Sequence, residues 1–193
     1  MSNPTSPLPE WRVAVLGIGM MGFPMGRRLC EAGCRVSVWN RSRSKAERLT
    51  PFGARVADTP AEAVRDADIV ITLLEDGGVV DDVLFQQGTS DSLARGSLVI
   101  DMSSIQPRQA RDHAARLGAL GVHHLDAPVS GGTVGAEAGT LAIMVGGKPG
   151  DFDRARPVFE ILGRPTHVGP PGAGPLAKLA NQLIVGLTIG AVG

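Results

Sequence analysis

The sequence predicts an α/β fold built on a doubly wound, mainly parallel sheet with added mixed strands. Short β-branched runs alternate with longer amphipathic stretches, which is the pattern of repeated βαβ units. A glycine-rich turn directly follows the first run, and the runs are apolar enough to be buried on both faces. With 193 residues, 43% of them hydrophobic, the chain is long enough for one sizeable domain with part of a second.

The apolar and β-branched runs mark the predicted strands, which cover residues 13–16, 35–39, 69–74, 98–101, 141–145 and 166–168. After Leu125 glycine and alanine become frequent, and the run at 141–145 looks like an added strand rather than another βα unit. The last run is expected to be a short edge strand.

Amphipathic stretches between the strands predict helices. Met21, Met25 and Leu29 recur every four residues and form a helical stripe that ends at Gly33. Further helices are predicted at residues 44–49, 60–66, 79–85, 107–117 and 151–162. A cluster of glycine and proline then ends the domain, and Pro175 suits the first turn of a final helix.

Gly17 opens the sequence GIGMMG, which matches the GxGxxG pattern of dinucleotide-binding turns. Because a strand precedes it and a helix follows, Gly17 can make the tight turn, Gly19 can admit a pyrophosphate, and Gly22 can let helix and strand pack. Free amides near Met20 and Met21 would bind the anion. The alternative is a purely structural turn, since glycines cluster in many turns.

The end of the second predicted strand is expected to meet the adenosine ribose of the cofactor. NAD favours a carboxylate there, whereas the 2′-phosphate of NADP favours arginine. The chain places Asn40, Arg41 and Ser42 at this position, followed by Arg43 and Lys45. Three cations with hydroxyls between them suit a doubly charged phosphate, so NADP(H) is favoured over NAD(H). The alternative is a solvated, basic helix start.

Two later strand ends also carry polar residues. Ser103 and Ser104 follow a strand end that should meet the cofactor, and one of them is expected to contact the nicotinamide ribose. Asp126 resembles an acid catalyst, but it is expected to fix the loop that carries Ser130.

Composition and patterning exclude several classes of partner. Lysine plus arginine equal aspartate plus glutamate at 19 each, so neither nucleic acid nor a membrane surface is expected, and the partner should be a small molecule.

Residues 1–10 read as a flexible tail without a secretory pattern, which favours the cytoplasm. Cys30 and Cys34 are expected to be small core residues. His123 and His124 would point apart in a strand, so no metal is predicted.

Six segments together resemble the β-hydroxyacid dehydrogenase family, and they occur in its order: GIGMMGFPM, WNRSRSK, DMSSI, DAPVSGG, GTLAIMVGG and KLANQ. They extend from the first strand to Gln182. The resemblance implies a Rossmann-type domain and an oxidoreductase of the 3-hydroxyisobutyrate dehydrogenase or tartronate semialdehyde reductase type. Such enzymes interconvert a β-hydroxyacid and its aldehyde or ketone with NAD(P).

Lys178 coincides with the catalytic lysine of this family. In the reductive direction the carbonyl oxygen gains negative charge, so a proton donor must lie within hydrogen-bond reach of it. Asn181 and Gln182 lie three and four residues beyond Lys178 in a helix, and either amide could orient the lysine or the substrate. Considered alone, Lys178 would be read as a surface helix lysine.

The family assigns the substrate carboxylate to Ser130, Gly131 and Gly132. A hydroxyl with two unobstructed amides suits that task, and a flexible glycine turn is the alternative.

One cofactor-side loop departs from the family, because Glu75, Asp76 and two glycines follow Leu73 and Leu74, where many members have proline. We expect this loop to be more mobile, with Leu73, Leu74 and Val79 still able to pack on the cofactor.

The resemblance also predicts the domain organisation. Residues 11–172 would form the NADP-binding domain, and residues 173–193 would begin the inter-domain helix of an all-α domain that closes the substrate site and forms a homodimer. An apolar stripe on this helix would need covering by another chain or segment: Leu176, Leu179, Leu183 and Leu187. Without that domain the chain is expected to be catalytically impaired.

Two other functions remain open at this stage. An imine reductase shares the glycine turn and the architecture, although such relatives commonly lack the lysine. A non-catalytic dinucleotide-binding or assembly module is the other alternative, and it is disfavoured by Lys178 together with the SGG segment.

Overall fold

The computed structural model describes residues 11–192, and describes side chains as far as residue 184. The strands are β1 (Arg12–Leu16), β2 (Arg35–Trp39), β3 (Arg55–Val56), β4 (Ile69–Thr72), β5 (Leu98–Asp101), β6 (His123–Asp126), β7 (Val129–Ser130), β8 (Leu141–Gly147) and β9 (Gly163–Gly169). The helices are α1 (Gly22–Glu31), α2 (Arg43–Glu47), α3 (Pro60–Val64), α4 (Gly77–Asp81), α5 (Pro107–Ala119), α6 (Gly132–Ala138), α7 (Pro149–Leu162) and α8 (Ala173–Val192). The expected tail, residues 1–10, lies outside the described residues.

The strands form one sheet in the order β3-β2-β1-β4-β5-β6-β8-β7, with β9 on β8. Strands β1 to β6 are parallel, whereas β8 runs antiparallel to β6 and β7. The chain winds outward from β1 towards β3, then returns to β4 on the other side of β1. The strand order therefore reverses between β1 and β4, and ligands of doubly wound sheets bind at the carboxyl ends beside such a point.

Alternate residues of the central strands face two separate cores. Val13 and Val15 of β1 point to one face, where Met25 and Leu29 of α1 and residues of α7 pack on them. Ala14 of β1 and its neighbours in β4 and β5 point to the other face, which α3, α4 and α5 cover. This two-sided burial is the reason the strands are almost uniformly apolar.

The added part of the sheet depends on close backbone contact. A Cβ atom on Gly163 would lie 2.1 Å from the carbonyl oxygen of Leu141, so β9 can approach β8 only with glycine at that position. Helix α7 provides the crossover between these two parallel strands.

The predicted doubly wound, mainly parallel sheet with added strands is confirmed, and so are the predicted helices apart from shifts at their ends. Helix α4 begins earlier than predicted and continues into a π-helical turn at Asp82–Gln86. Helix α8 begins at Ala173 rather than at Pro175. The two-residue strands β3 and β7 and the glycine-rich helix α6 were not predicted, and β6 was expected only for His123 and His124.

Cys30 and Cys34, predicted to be core residues, are free thiols that are only partly buried and pack against the edge of the first core. Burial raises the pKa of the Cys30 thiol to about 11. His123 and His124 diverge, since the Nδ1 atom of His123 lies 2.7 Å from a carboxylate oxygen of Asp151 while His124 is buried. Among the described residues, no helix is both long and apolar enough to span a membrane.

Candidate active site

A groove of about 1160 Å³ runs along the carboxyl ends of the parallel strands. It collects nearly every residue that the sequence marked for cofactor or substrate: Gly17, Gly19, Met20, Met21, Gly22, Asn40, Arg41, Ser42, Leu73, Leu74, Val79, Ser103, Ser104, Ser130, Gly131, Gly132, Lys178 and Gln182. Asn181 is the exception, and it contacts the groove through Ser130. Lys178 is therefore on the same side of the sheet as the glycine turn.

The three glycines of the turn have different reasons to be glycine. A Cβ atom on Gly17 would lie 2.3 Å from the carbonyl oxygen of Leu73, and one on Gly22 would lie 2.0 Å from that of Gly17. A Cβ atom on Gly19 would meet no protein atom within 4 Å. The protein itself thus requires Gly17 and Gly22, whereas the open space at Gly19 fits a group that the turn would hold.

The backbone amides of the turn divide in the same way. The amide of Gly17 donates to the Trp39 carbonyl and that of Ile18 to the Asn40 side-chain oxygen, both at 2.9 Å. The next amides, of Gly19, Met20 and Met21, donate to no other residue of the described part of the chain. Unpaired amides at a helix start, with open space before Gly19, fit the pyrophosphate of a dinucleotide.

The basic segment after β2 has fewer available cations than the sequence suggested. Arg43 already donates to Glu47 at 3.0 Å and to Asp58. Within the described residues, Arg41 and Lys45 have no ion pair, and both line the groove. Two unpaired cations, rather than three, are available for a phosphate.

A buried network joins the ends of β4 and β5 under the groove. One oxygen of Asp101 accepts from the Thr72 hydroxyl at 2.7 Å and from the Ser103 amide at 3.0 Å, and the Ser103 hydroxyl accepts from the Leu74 amide. Burial raises the pKa of Asp101, while the Thr72 and Ser103 donors oppose that shift. Sequence reasoning assigned Ser103 to the cofactor and missed that it also holds the loop after β4.

The loop expected to be mobile carries a helix cap. The Asp76 carboxylate accepts from the amides of Gly78 at 2.8 Å and Val79 at 2.9 Å, which fixes the start of α4. Aspartate directly before a glycine pair is a recognisable cap signal in the sequence. The greater mobility of this loop relative to that of other family members stays a prediction.

The substrate end of the groove is formed by the loop after β7 and by α8. Asn181 donates to the Ser130 hydroxyl at 3.2 Å, so α8 orients this serine. Gly131 and Gly132 both have positive φ, and a Cβ atom on Gly132 would meet no protein atom within 4 Å. The segment thus leaves open space beside the serine hydroxyl.

Lys178 lines the same end of the groove and is partly buried. It has no ion pair within the described part of the chain. Burial without a counterion lowers the pKa of its ammonium group below the ordinary 10.5. A lysine in this state can release and regain a proton more easily than a solvated one.

Asp126 has a structural role, but the predicted partner is wrong. Its carboxylate oxygens accept from the amides of Gly172 at 2.7 Å and Gly174 at 2.8 Å, so it anchors the start of α8 rather than the Ser130 loop. Burial raises the pKa of Asp126 despite these two donors. Gly146 and Gly174 leave room for the carboxylate, since a Cβ atom on either would lie within 2.6 Å of it. Asp126 therefore sets the position of Lys178 indirectly.

Comparison with known proteins identifies the family. Residues 12–169 match the NAD binding domain of 6-phosphogluconate dehydrogenase. The chain belongs to this family. The match covers β1 to β9 and ends before α8.

Named relatives include β-hydroxyacid dehydrogenases, which confirms the resemblance seen in the sequence. The chain is 40% identical over 183 residues to 2-hydroxy-3-oxopropionate reductase of Escherichia coli, covering 94% of this chain and 62% of the reductase. It is 42% identical over 182 residues to an NAD-dependent L-serine dehydrogenase of Pseudomonas aeruginosa, covering 93% of this chain and 61% of that enzyme.

A solved structure extends the likeness to three dimensions. Mycobacterium tuberculosis 3-hydroxyisobutyrate dehydrogenase, determined with L-serine, has a TM-score of 0.88 and 38% identity, with 92% of this chain and 60% of that chain covered. Imine reductases are also among the matched structures, at 25% to 30% identity. The chain thus spans about three fifths of the length of its relatives.

Proposed function

We propose that this chain is the cofactor-binding part of an NADPH-dependent oxidoreductase that interconverts a β-hydroxyacid and its semialdehyde. One observation carries the proposal: Lys178, partly buried and without a counterion among the described residues, lines the same groove as the open glycine turn and Ser130. The names of the relatives support the substrate class, because 2-hydroxy-3-oxopropionate, L-serine and 3-hydroxyisobutyrate are all small carboxylates.

The chain supplies three functions in this proposal. Ser130, oriented by Asn181, binds the substrate carboxylate together with Gly131 and Gly132. Lys178 protonates the carbonyl oxygen during reduction and removes the same proton during oxidation. Gln182, on the same helix, lines the groove beside Lys178 and positions the substrate.

The bound nicotinamide cofactor supplies the hydride. The Gly19, Met20 and Met21 amides would hold its pyrophosphate. Ser103, Ser104 and the apolar Leu73, Leu74 and Val79 would line its nicotinamide half.

Arg41 would bind the 2′-phosphate of NADP(H), with Ser42 and Lys45 beside it. Asn40, whose oxygen already accepts from the Ile18 amide, would keep the second strand's end aligned with the turn. Because Arg41 and Lys45 are the cations of this segment that have no ion pair with any described residue, the preference for NADPH rests mainly on them.

We also propose that the apolar face of α8 is covered in the working enzyme by further helices and by a second subunit. Leu176, Leu179 and Leu183 are 51% to 69% exposed, which is unusual for three leucines on one helix face. Leu187, the fourth residue of the predicted stripe, lies outside the residues whose side chains are described.

Free thiols at Cys30 and Cys34 fit a reducing compartment such as the cytoplasm.

The test uses full-length protein with NADPH and a panel of small semialdehydes and cyclic imines. We expect reduction of a carboxylate-bearing aldehyde, and a loss of about 100-fold or more in kcat for Lys178→Ala with NADPH binding unchanged, since general acid catalysis contributes roughly 10²–10⁴-fold. Lys178→Arg serves as the matched control that keeps the charge. Turnover of imines alone, or an unaltered rate in Lys178→Ala, would show that the proposed reaction is wrong.

Cofactor choice has a separate test. Arg41→Asp should weaken NADPH binding by about 10-fold or more while leaving NADH binding within about 3-fold, because a charge-assisted phosphate contact is worth roughly 1.5–3 kcal/mol. Equal losses for the two cofactors would exclude Arg41 as the phosphate ligand.

A further inference from the structure

We propose that Asp58 determines how strongly the groove discriminates between NADPH and NADH, by competing with the cofactor's 2′-phosphate for Arg43. The inference rests on the proposed cofactor site, and it assigns a specificity role to a carboxylate outside the segment that follows β2. It also explains why Arg43 differs from its basic neighbours Arg41 and Lys45.

Arg43 is held between two carboxylates that come from different elements. Its Nε donates to Glu47 one turn later in α2, and its Nη1 pairs with Asp58, which follows β3. With Arg41 and Lys45 included, the three cations and two carboxylates leave a net charge of only +1. A phosphate with close to two negative charges would therefore meet a nearly neutral surface unless one carboxylate gives way.

Asp58 is the carboxylate placed to interact with the cofactor. Asp58 lines the groove together with Arg41, Arg43 and Lys45, whereas Glu47 does not line it. Strand β3 pairs with β2 in parallel register, so Asp58, two residues after the end of β3, lies near the residues that follow β2. The Asp58 amide donates to Glu62, which fixes the backbone, while its carboxylate is held by Arg43 alone within the described residues.

The two cofactors would meet this pair differently. Arg43 can add to the contacts that Arg41 and Lys45 make with the phosphate of NADPH only if it releases the Asp58 carboxylate, and that carboxylate then lies near a like charge. For NADH, the ribose hydroxyl is a donor that a carboxylate can accept from, and the Arg43–Asp58 pair can stay intact. Asp58 thus disfavours the phosphorylated cofactor and tolerates the unphosphorylated one.

The test compares Asp58→Asn with Glu47→Gln, since each removes the negative charge of one partner of the same arginine while keeping an amide oxygen that can accept a hydrogen bond. Dissociation constants for NADPH, NADH, 2′,5′-ADP and 5′-AMP are measured by fluorescence or calorimetry on the purified chain, with thermal melts to verify folding. Asp58 is 79% exposed, so its replacement should not disturb packing.

Asp58→Asn should strengthen NADPH and 2′,5′-ADP binding by about 1.5- to 5-fold, the range expected when an exposed ion pair of roughly 0.2–1 kcal/mol no longer opposes the ligand. NADH and 5′-AMP binding should not improve. Glu47→Gln should give a smaller selective change, because Arg43 remains paired with Asp58.

Equal effects on phosphorylated and unphosphorylated ligands, or equal selectivity changes in the two variants, would overturn the role of Asp58. A parent protein that prefers NADH would refute the proposed cofactor, yet a selective gain for NADPH in Asp58→Asn would still support this inference. The two proposals therefore fail through different measurements.

Discussion

Replacing single glycines of the turn by alanine separates folding from cofactor binding. At Gly22 the added Cβ atom would lie 2.0 Å from a backbone oxygen, so strand and helix must move apart. We expect Gly22→Ala to lower the free energy of unfolding by about 1–3 kcal/mol, the usual cost of forcing extra volume into a packed contact. At Gly19 the added atom meets no protein atom within 4 Å, and this glycine does not require a positive φ.

Gly19→Ala should therefore leave the free energy of unfolding within about 0.5 kcal/mol of the parent, as surface substitutions do. The same methyl group would occupy the space proposed for the pyrophosphate. Loss of even one charge-assisted hydrogen bond, worth roughly 1.5–3 kcal/mol, corresponds to about 10- to 150-fold weaker binding. Both NADPH and NADH should be affected equally, since they share the pyrophosphate.

The assay combines urea unfolding without cofactor and fluorescence titration with NADPH and NADH. Gly19→Ala should fail only in the titration, and Gly22→Ala should fail first in unfolding. If Gly19→Ala bound both cofactors with the parent's affinity, the space before the turn would not be a pyrophosphate site. A large loss of stability in Gly19→Ala would show instead that this glycine has a structural role.

Two other predictions concern α8 and its anchor. Burial lowers the pKa of Lys178, and reduction needs its protonated form, so the reductive kcat/KM of the full-length enzyme should be high at low pH and fall as the pH rises through a pKa below 10.5. The rate of the oxidative reaction should rise through the same pKa. Any residual activity of Lys178→Arg should lack this fall at alkaline pH, and an unchanged pH profile would assign the fall to another group. Asp126→Asn keeps the shape of the side chain but replaces one of the two oxygens that accept from the Gly172 and Gly174 amides with a donor. The free energy of unfolding should therefore drop by about 1–3 kcal/mol. A variant that is as stable as the parent in urea would show that the two hydrogen bonds contribute nothing to stability.

Local patterns in the sequence were sufficient for the parts of the fold whose cause is also local. The first strand, the glycine turn and α1 are adjacent along the chain, and their spacing alone fixes where each begins. Strand β3 was missed because it is only two residues long and has no apolar run of its own. Helix α6 was missed because its residues, GTVGAEA, include two glycines and resemble a loop by composition.

The candidate site was predicted as a set of residues, but not as a set of contacts. One of the two partners of Arg43, Asp58, could not be predicted because it is 15 residues away and is brought close only by the pairing of β2 with β3. The assignment of Asp126 to the Ser130 loop failed for the same reason, since its partners lie 46 and 48 residues further along the chain. Carboxylates in such positions pair with tertiary neighbours that spacing along the chain does not reveal.

The antiparallel strand β8 explains how Lys178, late in the chain, reaches a groove along strands that end before residue 102. Gly146 of β8 pairs with Asp126 on one side and with Gly169 of β9 on the other, so the end of β9 is level with the end of β6, with β8 between them. The chain leaves β9 there, and the Asp126 carboxylate holds the next turn by two amides. Helix α8 therefore starts at the carboxyl edge of the sheet, and Lys178 enters the groove within its first two turns. An all-parallel continuation of β6 would require a further crossover helix and would lack this close return.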